Sequence, residues 1–163
     1  MPPEIPDLPK LAAALASEEV DYVLIGGLAL ILQGGDRFTF DADIAIAFTR
    51  ENISRVVRAL APLHPRPLRL APGAAWVWDE FCVRAPWSLF QTDAGRLDLI
   101  LRLPGADSYA GVYERSRLLV IEGATVRVAT LEDLKAMKSV SERDRDRSDV
   151  HMIDALLKLR DSR

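Results

Sequence analysis

The chain has 163 residues, 49% of them hydrophobic and 28% charged, the balance of one folded domain with a real core rather than of a disordered chain. A net charge of −3 argues against a general polyanion binder. The single cysteine, Cys82, excludes an internal disulfide framework or a cysteine zinc site, and His64 and His151 match no metal-ligand spacing. No apolar run approaches the roughly 20 residues that span a bilayer, and no basic segment followed by a long apolar stretch opens the sequence, so a cytoplasmic protein with no membrane role is expected.

Taken in chain order, Pro2, Pro3, Pro6 and Pro9 mark a short N-terminal arm over about residues 1–8. Leu8, Leu11 and Leu15, with Ala12, Ala13 and Ala14 between them, predict an amphipathic helix to about Glu19. Tyr22 to Ile25 reads as a strand stopped by Gly26-Gly27, and Leu28 to Leu32 as a short helix closed by Gly34-Gly35. Asp41 to Phe48 has strand character, with Ile44 and Ile46 on one face and Asp41 and Asp43 on the other. Thr49 is the N-cap of a helix to about Ala61, which Pro62 ends. The proline-rich stretch from His64 to Gly73 predicts a loop. Trp76 to Val83, Trp87 to Thr92 and Arg96 to Leu103 predict strands, with a turn at Asp93-Ala94-Gly95.

Ser108 to Arg115 predicts a short helix. Leu118 to Ile121 and Thr125 to Ala129 flank Glu122-Gly123-Ala124 as a hairpin. Thr130 with Asp133 forms a capping box that opens a helix to about Val140, and a last helix is expected over about Asp146 to Arg160, giving a C-terminal helical tail over about residues 130–163. The order implies a single α+β (α/β) domain, residues 1–163, with a mixed β-sheet flanked by helices. A sheet this small leaves exposed edges, which would suit a homodimer or another protein partner.

Three acids carry the chemistry. Aspartate is depleted in strands, yet Asp41 and Asp43 stand at i and i+2, which places two carboxylates roughly 6–7 Å apart on one face. Their mutual repulsion is relieved by a divalent cation, and oxygen ligands suit Mg²⁺ or Mn²⁺. Asp98 lies among aliphatic residues in another β-prone run; if that strand neighbours the first, three carboxylates converge on one spot. Such a cluster binds divalent ions and activates a hydroxyl for in-line attack on a phosphate. Gly26-Gly27, between a strand and a helix, lets backbone N–H groups approach an anion closely.

Other features read more simply as structure. Trp76, Trp78 and Trp87 are expected mainly in packing, with base stacking as the alternative. The arginines from Arg50 to Arg69 fit a solvated face, and the alternating charges from Glu142 to Arg147 fit a salt-bridged turn rather than a nucleic-acid site. Cys82 is expected to be a packed thiol.

The combination of Gly26-Gly27, a spacer holding Gly34, Arg37 and Thr39, then Asp41-Ala42-Asp43, and later Leu97-Asp98-Leu99, resembles the nucleotidyltransferase (DNA polymerase β-like) superfamily. The tail, Leu131-Glu132-Asp133-Leu134 to Lys138 and then Arg143, Asp146 and Asp149, is similar to that of small bacterial, toxin-type members. Gly-Gly stands where many members have Gly-Ser, a form usual in the toxin-like branch. The resemblance implies that Asp41, Asp43 and Asp98 are catalytic and hold Mg²⁺ or Mn²⁺. It further implies that Gly26, Gly27, Arg37, Thr39 and Lys138 bind the nucleotide. The activity it implies moves an NMP group from an NTP to an RNA, protein or small-molecule acceptor, with a toxin–antitoxin pair as one setting. The alternative is a catalytically silent module of the same fold, or an antitoxin, acting through a protein partner. Metal-dependent phosphoester hydrolysis is a weaker third reading.

Overall fold

A computed structural model describes residues 4–163. The first three residues of the expected arm lie outside the described residues. The remainder of the arm is docked: the Asp7 N–H donates to Ala94 O at 2.9 Å, and Pro6 lies against Gly95 so closely that a Cβ there would stand 2.9 Å from Pro6 Cα.

Helix α1 (Leu8–Ser17) is capped by Asp7, whose carboxylate accepts from Lys10 N, and it buries Leu8, Leu11, Ala12 and Leu15. Strand β1 (Tyr22–Ile25) is buried throughout and runs directly into α2 (Gly26–Leu32), which starts two residues before the periodicity suggests. Strand β2 (Asp41–Ile46) follows, then α3 (Arg50–Leu60), capped by Thr49 as its sequence implies. Buried Asn52 on α3 ties the two strands together: its side chain accepts from Asp21 N and donates to Asp21 O and Ala47 O.

The remaining elements are β3 (Arg66–Pro67), β4 (Trp87–Thr92), β5 (Gly95–Ile100), α4 (Tyr109–Arg115), β6 (Arg117–Ile121), β7 (Ala124–Val128), α5 (Leu131–Ser139) and α6 (Asp144–Asp161). Thr130 caps α5 by accepting from Asp133 N, as the capping-box pattern requires.

All seven strands form one mixed sheet in the order β3-β4-β5-β2-β1-β7-β6, with β2/β5 and β1/β7 parallel and the other pairs antiparallel. Helix α1 packs on β7 and α3, α2 packs on β1 and β2, and α5 packs on α6 and α2. The mixed sheet flanked by helices is the fold the sequence predicts. Among the described residues no helix is long and apolar enough to cross a membrane.

One predicted strand is absent. Residues 76–79 form a loop and Glu80–Val83 a 3₁₀ turn, capped by the Asp79 carboxylate accepting from Phe81 N. The two indoles do not extend along a ladder. Trp76 Nε1 donates to Pro65 O and Trp78 Nε1 to Val57 O, each at 2.8 Å, and Trp78 meets Phe90 edge-on at 5.2 Å. Tryptophans at i and i+2 thus mimic strand alternation while plugging a loop onto the core. Conversely, the loop expected from His64 to Gly73 contains the two-residue edge strand β3, a position that tolerates its proline.

Candidate active site

The parallel register of β2 and β5 sets Asp43 beside Asp98 and Asp41 beside Arg96. Neighbouring strands lie about 4.8 Å apart, so the two carboxylates share one face of the sheet as immediate neighbours. Asp98 is 5% exposed, and its Oδ1 has no hydrogen-bond partner. Its Oδ2 accepts from Trp87 Nε1 at 3.3 Å. Arg96 Nε stands 3.0 Å from Asp41 Oδ1 but out of hydrogen-bond alignment, so the contact is electrostatic and both atoms stay unpartnered.

This floor carries more negative charge than it balances. Burial, then the charges of Asp98 and Asp41, push the Asp43 carboxyl up to about 7, against the opposing pull of Lys138. Burial and Asp41 likewise raise Asp98, against the Trp87 N–H and Arg96.

The β1–α2 junction closes over Asp43. Gly26 has φ +68, and a Cβ there would stand 2.0 Å from Asp43 Oδ2, so conformation and space both require glycine. A Cβ on Gly27 would meet Thr39 Cβ at 3.1 Å and the Arg37 guanidinium carbon at 3.2 Å, which places Arg37 and Thr39 against the same turn. Thr39 Oγ1 accepts a long, 3.5 Å hydrogen bond from Asp41 N.

Arg37 and Lys138 are not solvated surface cations. Both contact the Asp149 carboxylate, Lys138 Nζ at 2.7 Å, and Lys138 also reaches Asp146 Oδ1 at 3.3 Å. Arg143 Nε holds the other Asp146 oxygen at 2.7 Å. Asp146 and Asp149 are buried on α6, and Arg37 and Lys138 are nearly so. Burial alone would raise Asp146, but hydrogen bonds from Ser141 and Arg143 and the Lys138 charge carry it below its ordinary value.

All eight residues singled out in the sequence (Gly26, Gly27, Arg37, Thr39, Asp41, Asp43, Asp98 and Lys138) line one cavity of about 710 Å³. It also takes in Trp87, Arg96, Arg102, Arg143, Arg145 and Asp146. Sequence reasoning missed the Trp87–Asp98 bond, the Arg96–Asp41 contact and the burial of Asp146 and Asp149. The alternation of tail charges signalled ion pairs but not their reach across the chain. Asp133, part of the tail motif, is structural: Arg115 grips it at 2.7 Å and Asp107 at 2.7 Å, tying α4 to α5.

His64 pairs with Asp93 on an exposed loop, and Arg55 and Arg58 pair with Glu51 and Glu18 at the surface. Cys82 is half-buried and bonds Val77 O.

Among the described residues, no three acidic, histidine or cysteine side chains are already drawn around one point as a metal cage. The donor chemistry nevertheless fits a hard divalent cation: adjacent carboxylates in charge conflict, and a buried Asp98 oxygen with nothing to bond.

A family model described as "Nucleotidyltransferase of unknown function (DUF6036)" matches residues 7–159. The fold is similar to a Thermotoga maritima protein assigned to the nucleotidyltransferases, with a TM-score of 0.55 and 17% identity over 96% of this chain and 91% of that one. It is also similar to ANT(2")-Ia in complex with adenylyl-2"-tobramycin, with a TM-score of 0.55 and 16% identity over 91% and 86%. The lincosamide antibiotic adenylyltransferase LnuA, lincomycin-bound, gives 0.59 and 14% over 92% and 96%. No curated protein sequence matches significantly.

Proposed function

The chain belongs to the DUF6036 family of nucleotidyltransferases, and from that premise we propose that it transfers an NMP group from an NTP to an acceptor hydroxyl, using Asp41, Asp43 and Asp98. The observation that carries the site assignment is the side-by-side placement of Asp43 and Asp98, facing the Gly26-Gly27 turn within one cavity.

In this reading the backbone N–H groups of Gly26 and Gly27 take the triphosphate, whose close approach the missing side chains permit. Arg37, Thr39 and Lys138 complete the phosphate side. Arg37 and Lys138 arrive already oriented by Asp149, so little side-chain freedom remains to be lost on binding. Asp41, Asp43 and Asp98 would hold Mg²⁺ or Mn²⁺, which supplies charge neutralisation for the phosphates and acidifies the acceptor hydroxyl. The acceptor oxygen bonds to the α-phosphorus, the bond to the β-phosphate oxygen breaks, and pyrophosphate leaves with that electron pair. The hydroxyl proton passes to the carboxylate pair at the unpartnered Asp98 Oδ1.

The acceptor is an RNA, a protein or a small molecule; the antibiotic adenylyltransferases among the similar folds are examples of the last class. A cytoplasmic setting, with NTP at hand, suits the reaction, and one component of a toxin–antitoxin pair is a role that such a transfer would serve. A homodimer or other protein partner would have the exposed edge strand β6 to bind.

The test incubates each of four NTPs, labelled at the α-phosphate, with Mg²⁺ or Mn²⁺ and separate RNA, protein and small-molecule acceptor pools. Label should enter one pool with wild type and not with Asp41→Asn. A complete absence of label with folded wild-type protein would favour the silent binding module instead.

A further inference from the structure

The order of strands across the sheet gives the cavity two ends. The Gly26-Gly27 turn follows β1, Asp43 lies on β2, Asp98 on β5 and Trp87 on β4, and these strands are consecutive neighbours. In-line displacement requires the attacking oxygen opposite the leaving pyrophosphate. If the phosphates sit at the glycine turn with Arg37 and Lys138, the acceptor enters from the β4 side. The inference therefore rests on the functional reading above and deepens it.

The β4 side is built for a particular chemistry. Trp87 is 56% exposed although its Nε1 is fixed to Asp98 Oδ2, so the indole has a set orientation beside the third acid and an open ring face. It packs on none of the aromatic rings that cluster around Phe90. Trp87 pairs with Ile100 at the end of β5, and Arg102 follows two residues on. Arg145, at the start of α6, lines the same cavity; both arginines are exposed and neither has a carboxylate partner among the described residues.

The acids tell the same story. Outside the triad, the only lining carboxylate among the described residues is Asp146, which is buried and already held by Lys138 and Arg143. A polycationic acceptor would find no free carboxylate here, whereas phosphates would find two unpaired guanidinium groups.

We propose that Trp87, Arg102 and Arg145 form the acceptor subsite for the 3′ end of a single-stranded polynucleotide, whose terminal base stacks on the indole while its phosphodiesters meet the arginines. The terminal 3′-hydroxyl oxygen bonds to the α-phosphorus of the NTP, pyrophosphate leaves, and the hydroxyl proton goes to Asp98. The strand is thereby lengthened by one nucleotide. Aromatic stacking of this kind tolerates any base and is sequence-blind.

The experiment measures transfer from α-labelled NTP to synthetic RNA and DNA oligonucleotides with free 3′-hydroxyls, alongside protein and small-molecule pools. Oligonucleotides one nucleotide longer are expected, and 3′-phosphorylated ones should be inert. Trp87→Ala should raise the KM for the oligonucleotide about tenfold while moving the KM for NTP less than about twofold. Trp87→Phe keeps the ring but not the N–H, so it should retain most of the acceptor affinity and lose kcat. The double variant Arg102→Ala/Arg145→Ala should weaken the oligonucleotide and flatten its salt dependence.

An RNA arm active beside a silent DNA arm would assign the strand to RNA, and the reverse to DNA. Label confined to protein or small molecules would overturn the subsite while leaving nucleotidyl transfer standing. A Trp87→Ala effect on NTP alone would overturn it too, since the indole would then hold the nucleotide. No label in any pool would instead defeat the functional reading beneath it.

Discussion

Two groups of acids lie around the site, a fully buried pair on α6 and a trio on the sheet of which only Asp98 is fully buried, and they are opposite in design. Asp146 and Asp149, on α6, are enclosed by Arg37, Lys138 and Arg143, so each carboxylate contacts two cations. Asp41, Asp43 and Asp98, on the sheet, have one misaligned arginine and an indole N–H between them. A neutralised cluster holds elements in place. An unbalanced one is stable only because the rest of the fold enforces it, and in the function proposed above it is where a cation would bind.

The largest effect expected from breaking this contrast comes at the unbalanced side. Asp43→Asn should cut transfer by at least about 100-fold. It should also relieve repulsion, so the melting temperature of the metal-free protein should hold or rise by about 2–4 °C. A variant equally inactive but markedly less stable would mean that Asp43 supports the fold rather than a cation.

Asp149→Ala attacks the balanced side. It leaves Arg37 and Lys138 short of their common partner in a nearly dry site, at a cost of about 3–5 kcal/mol. Thermal melting should show a fall on the order of 10 °C. Stability close to wild type would show that Asp146 alone can satisfy these cations.

The two groups should also respond oppositely to pH. Asp43 keeps its proton in the folded protein up to about 7, whereas the unfolded chain releases it near the ordinary carboxylate value of about 4. Between those limits the unfolded state binds fewer protons, so the metal-free protein should lose stability as pH rises through that window. Asp146 is held below its ordinary value, and its contribution is lost only as pH falls into the acid range. Melting temperatures from pH 4 to 8 should decline toward pH 8 without Mg²⁺ and flatten with it. A curve unchanged by Mg²⁺ would separate the acid pair from metal binding.

The smallest effect belongs to Arg96→Gln. The Arg96–Asp41 contact is partly exposed and misaligned, so its loss should change stability by less than about 1 kcal/mol. Denaturant melts would detect a larger role.

Much of this contrast was legible in the sequence on one side only. Asp41 and Asp43 at i and i+2 in a β-prone run, and Asp98 among aliphatics, violate strand composition locally, and a local violation is visible without a fold. The caps at Thr49 and Thr130 were legible for the same reason. The balanced cluster was not, because the Arg37–Asp149 contact spans 112 positions and depends on how α6 returns to the loop before β2. The tail charges alternate as a surface helix would, and nothing local says that Asp146 and Asp149 turn inward while Arg145 turns to the cavity. Residues 76–83 misled through a different route: Trp76 and Trp78 have strand spacing, but long-range hydrogen bonds to Pro65 and Val57 decide their conformation.

Parallel reactions with one NTP labelled at the α-phosphate and the same NTP labelled at the γ-phosphate test the central claim most directly. Transfer of an NMP group sends α-label into the acceptor and leaves all γ-label in pyrophosphate. Entry of γ-label into the acceptor would instead make the chain a phosphoryl transferase, and the roles given to Asp41, Asp43 and Asp98 would have to be reassigned.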